Sequence, residues 1–107
     1  MEELEKIYDY VEEELADAEK YAKCAAKSKL VGDTDKLSIA TKLSEAELEH
    51  ASIWYDFMRN KAKAMRSMYE SKIEPMPEYI EMRITDMTDY YMEKSAKVRY
   101  MLDSNRR

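Results

Sequence analysis

Val31-Gly32-Asp33-Thr34 contains the one glycine of a 107-residue chain, and it divides two long stretches whose apolar residues recur at steps of three and four. Glycine suits the left-handed residue that closes a helix, and Asp33 or Thr34 can accept from the first free amides of the next helix. Few residues are spent in the break, so the helices it joins are expected to be antiparallel neighbours. Upstream, Leu4, Ile7, Val11, Leu15, Ala18, Tyr21/Ala22 and Ala25 form a stripe that predicts helix 1 over about residues 2–30. Downstream, Leu37, Ala40, Leu43, Ala51, Trp54, Met58, Met65 and Met68 predict helix 2 over about 34–73, a rod of ~57 Å.

Glu74-Pro75-Met76-Pro77 must end that rod, because each proline removes an amide donor and disfavours helical geometry in the residue before it. Helix 3 is expected over about 77–104, with Pro77 in its first turn and the stripe Ile80, Ile84, Met87, Tyr91, Val98, Met101 and Leu102. Residues Ser104 to Arg107 should fray. One Gly and two Pro leave little of the turn chemistry that β-hairpins need, so the fold class is all-α: a long antiparallel hairpin plus a third helix, one domain over 1–107.

The formal charge of −5 comes from 23 acidic and 18 basic residues, interleaved along the chain, which argues against nucleic acid as a partner. Arg59, Lys61, Lys63 and Arg66 cluster locally, and are read as a solvated helix face. Cys24 is the only cysteine, so no internal disulfide or multi-thiolate zinc site can form. That composition fits a reducing, cytoplasmic setting. The first residues show no basic and apolar leader pattern, and no run approaches the ~20 apolar residues of a membrane span, so neither secretion nor a membrane is expected.

Three residues stand out against the stripes. Glu14 borders the apolar face of helix 1 between Val11 and Ala18, while Glu47 and His50 fall between Leu43 and Trp54 on helix 2. An ionised carboxylate so placed is costly unless paired or bound to a metal. Residues three apart share a helix face, so Glu47 and His50 can reach one ion together. Counting from Gly32, Glu14 lies 18 residues before and Glu47 15 after, a mismatch of ~4.5 Å that side chains can span.

A Glu on one helix with Glu-x-x-His on its neighbour is the half-site of ferritin-like di-iron carboxylate proteins. The segments Glu12-Glu13-Glu14-Leu15-Ala16-Asp17-Ala18-Glu19-Lys20-Tyr21-Ala22 and Glu45-Ala46-Glu47-Leu48-Glu49-His50-Ala51 resemble the rubrerythrin and encapsulated-ferritin branches, with Glu14 seven positions before Tyr21. The resemblance covers roughly residues 5 to 58. It implies Glu14, Glu47 and His50 as metal ligands, Tyr21 as a hydrogen-bond donor behind them, and a bundle completed by dimerisation. Because His50 is the only histidine, a full site needs the same three residues from a second copy, as a homodimer or larger homo-oligomer. Glu93 on helix 3 is ~15 Å out of register and no substitute. Carboxylate and imidazole suit Fe, with Mn or Zn as alternatives, and the implied chemistry is oxidation of bound Fe(II) by dioxygen or peroxide. The C-terminal residues Asp103 to Arg107 lack the apolar tail of encapsulated cargo, so a nanocompartment is not expected.

The bland reading makes Glu14, Glu47 and His50 a hydrogen-bonded polar cluster that sets helix register without any metal, in a non-enzymatic assembly or interaction module with a vestigial site. The nine methionines and nine tyrosines are read as helix packing, with Tyr90 and Tyr91 available for a subunit interface. Cys24, among Lys23, Ala25 and Lys27, is read as inert.

Overall fold

The computed structural model describes residues 1–107 and contains three helices: α1 (Glu2–Leu30), α2 (Thr34–Ser71) and α3 (Glu78–Asn105). Each turn reverses the chain, so α2 is antiparallel to both neighbours and α3 runs parallel to α1. The bundle is a rod, 61 × 17 × 16 Å. No helix is long and apolar enough to cross a membrane.

The first turn is built as the sequence suggests. Gly32 adopts φ 75°, its amide donates to the Lys29 carbonyl at 3.2 Å, and the Asp33 amide donates to the Ser28 carbonyl at 2.9 Å. Those two bonds close α1 with a left-handed residue just past its end. The Asp33 carboxylate then accepts from the Lys36 amide at 3.0 Å, capping α2. At the other end Ile73 repeats the same pattern, donating to Glu70 at 3.0 Å while Glu74 donates to Tyr69 at 3.1 Å. Ile73 carries φ 54°, an unfavourable value for a β-branched residue. α2 therefore stops at Ser71, two residues short of its expected end. Pro77 precedes the first helical residue of α3 as its N-cap, and its ψ of 138° is extended.

α1 and α3 bury the stripes expected of them. Leu4, Ile7, Val11, Leu15, Ala18, Ala22 and Ala25 are buried on α1, and Ile80, Ile84, Met87, Tyr91, Val98 and Leu102 on α3. On α2 the expected stripe is rotated. Its buried face is Ala40, Ser44, Leu48, Ala51, Tyr55, Met58 and Ala62, while Leu43 and Met68 are exposed and Trp54 and Met65 only half-buried. Small residues explain the rotation. Ala40, Ser44, Ala51 and Ala62 on α2 and Ala18, Ala22 and Ala25 on α1 are buried small residues that let the two rods pack closely over most of their length, whereas α3 packs mainly on α1 and barely approaches the α2 backbone. Ser44 can be buried there because its hydroxyl donates to the Ala18 carbonyl at 2.7 Å.

Aromatic rings and ion pairs tie α3 down. Tyr91 stacks on Tyr55 with centroids 3.8 Å apart, and Tyr90 meets Tyr8 edge-on at 6.1 Å. Tyr91 is thus buried within the chain, while Tyr90 stays half-buried. Burial pushes the Tyr8 hydroxyl up to about 12. Arg83 clamps Glu5 through two bonds of 2.7 and 2.9 Å, and Arg66 clamps Glu81 through two of 3.0 Å. With Lys61 also paired to Glu3 at 3.2 Å, much of the Arg59 to Arg66 cluster is neutralised from within.

Candidate metal centre

Glu14, Glu47 and His50 come together. His50 is 18 residues past Gly32, as Glu14 is 18 before it, so the antiparallel pairing sets these two directly across from one another. Glu47 joins them from one turn along α2. His50 Nδ1 lies 3.5 Å from Glu14 Oε2 and 3.8 Å from Glu47 Oε1, and one ligand atom from each residue falls within 4.8 Å of the other two. Side-chain exposure grades from 20% at Glu47 through 26% at Glu14 to 53% at His50, so the group opens to the surface on the histidine side.

Two donors on opposite sides of one ion, each at ~2.1 Å, are ~4.2 Å apart. The 4.8 Å span of the group is slightly wider than that, so side-chain rotations would have to draw the three donors in on an ion. Two carboxylates and an imidazole suit Fe(II), Mn(II) or Zn(II). Without an ion between them, a side-chain hydrogen bond with Glu14, then partial burial, then repulsion by the Glu14 charge hold Glu47 above the ordinary carboxylate range, with His50 a weaker opposing influence. A cation between them would relieve that repulsion.

Tyr21 lies two turns along α1 from Glu14, half-buried, outside the three-residue group, with its ring 5.9 Å from the Lys20 ammonium. Glu93 is exposed on α3 and takes no part. The sequence reading missed the aromatic pair below the site. Tyr10 and Trp54 stack at 4.5 Å and 19°, one turn from Glu14 and His50 respectively, and Phe57 follows at 6.2 Å from Trp54. Their spacing of four from each ligand was the available signal.

A second feature was also missed. Ile39, Leu43, Ala46, His50, Ile53 and Phe57 advance by alternating steps of four and three along α2, the repeat of a helix-pairing seam. This seam faces away from the core: Ile39 is 59% and Ile53 61% exposed, and Leu43 and Phe57 are exposed as well. His50 sits in its middle. α2 therefore has two apolar faces, one filled by α1 and α3 and one open, with half-buried Glu47 between them and His50 in the open one.

No protein-family model matches the chain, and no curated protein or solved structure does either.

Proposed function

We propose that the protein is a ferritin-like metal-binding protein of the cytoplasm, with a di-metal site shared between two copies. One observation carries this reading: Glu14 and Glu47 converge within ligand distance on His50, which stands in the middle of an open, heptad-spaced apolar seam. Three donors from one chain leave positions free on an ion, and a two-fold contact along the seam sets a second trio opposite the first. Four glutamates and two histidines then surround a pair of ions. Glu47 and His50 hold metal from α2, and Glu14 binds or bridges from α1.

Iron is the preferred occupant, as the substrate of an oxidation. Two Fe(II) each give up one electron to one dioxygen, which takes two protons and leaves as hydrogen peroxide. The protein's part is to place the ions together and to neutralise the Fe(III) charge with carboxylates. Tyr21, two turns along α1 from Glu14, is assigned a supporting role as a hydrogen-bond donor behind the ligands.

The apolar seam by itself favours a second reading, a helical assembly module in which Glu14, Glu47 and His50 only fix the register of pairing. Anaerobic Fe(II) titration separates the two. The metal-binding reading expects about two ions per pair of chains, lost in Glu47→Ala and in His50→Ala. Pairing without any metal uptake would leave the module alone.

A further inference from the structure

A trough of about 730 Å³ runs along the outer face of α1, away from the Glu14 site. Lys20, Lys23 and Lys27 line it from α1, Lys94 from α3 and Lys36 from the first turn of α2, with Ala16 and Cys24 as small residues between them. Only two acids share the space, Glu19 and Asp33, leaving an excess of three positive charges in a chain whose net charge is −5.

Both acids are already committed. Glu19 is buried and pairs with Lys23 at 2.9 Å, with Lys94, and with Lys97 at 3.7 Å. Lys94 and Lys23 hold its carboxyl down to about 2, so it stays ionised and anchors those lysines in place. Asp33 is spent on the Lys36 amide. Lys20, Lys27 and Lys36 make no ion pair.

We propose that this trough binds a compact polyanion of the polyphosphate class. Ammonium groups on flexible stems act as point charges that conform to clustered phosphate oxygens, and several around one space act together where a single exposed pair contributes little. The site lies apart from the metal ligands, so it stands or falls independently of the proposed metal chemistry.

The test is a titration of the full chain with inorganic tripolyphosphate, and in parallel with a nucleoside triphosphate, at low and at physiological salt, read by amide chemical shifts. The expected result is saturable binding at both salts, with shifts centred on Lys20 to Lys27 and the first turn of α2. Equal affinity for the two anions assigns recognition to the phosphates alone, and tighter binding of the nucleotide adds a contact to the base or sugar. The Lys20→Gln/Lys27→Gln double variant, altered only at exposed positions, should bind about tenfold more weakly. A Lys61→Gln/Lys63→Gln control should bind as the parent does. Shifts that never saturate, or an equal loss in the two double variants, would overturn the proposal and leave a solvated helix face.

Discussion

Glu19 and Glu47 are both carboxylates on helix faces that border the core, yet their surroundings push them in opposite directions. Lys94 and Lys23 lower Glu19 to about 2, whereas Glu14 and burial raise Glu47. The stability Glu19 contributes is fully present above the ordinary carboxylate value of 4.5 and is lost as pH falls from there towards about 2. Urea unfolding across that window should show Glu19→Gln less stable at neutral pH by ~1–3 kcal/mol, with the difference vanishing in acid. An unchanged neutral-pH stability would mean the ion pairs contribute nothing net. At this scale the meeting of Glu14, Glu47 and His50 was legible because charged and imidazole groups stand beside apolar stripes, and a single glycine gave a fixed point from which to count. The Tyr10–Trp54 stack was not, since each aromatic alone reads as ordinary packing.

Among the elements, α2 carries the most information and was the hardest to read. Its ends were legible from Gly32 and Pro75, because backbone chemistry punctuates a helix whatever its neighbours are. Its buried face was not. Large apolar residues on α2 fall on two sides, and the true core side is marked by Ala40, Ser44, Ala51 and Ala62, small residues that look unremarkable in a hydropathy pattern and matter only when a second rod packs close. The two helix ends offer a paired comparison: the same two-bond closure is made by Gly32 at φ 75° and by Ile73 at φ 54°. Ile73 is almost fully exposed, so its side chain contributes no packing to offset the strained backbone. Ile73→Gly should therefore stabilise the protein by about 0.5–1 kcal/mol, measured as a raised thermal midpoint. A loss of stability would show that the extra freedom of glycine in the unfolded chain outweighs the strain.

The whole molecule is a rod with one side closed by α3 and one side open, and the open side holds both the seam and His50, beside Glu14 and Glu47. Packing of α3 on α1 covers the hairpin from one direction only, which leaves the heptad-spaced residues of α2 facing solvent. Exposed apolar rows of this kind mark contact surfaces. Phe57→Asp, at an exposed position, should leave the helical content intact and convert self-associated protein to monomer in sedimentation velocity, without touching a metal ligand. Undiminished association would place the contact elsewhere.

Anomalous scattering from crystals soaked in Mn(II) addresses the central proposition most directly. One peak is expected within bonding distance of Glu14, Glu47 and His50 of each copy, with a second peak ~3.5–4 Å away held by the same residues of another copy. Peaks confined to other carboxylates, or a trio that stays free of metal while two copies pair along α2, would contradict it.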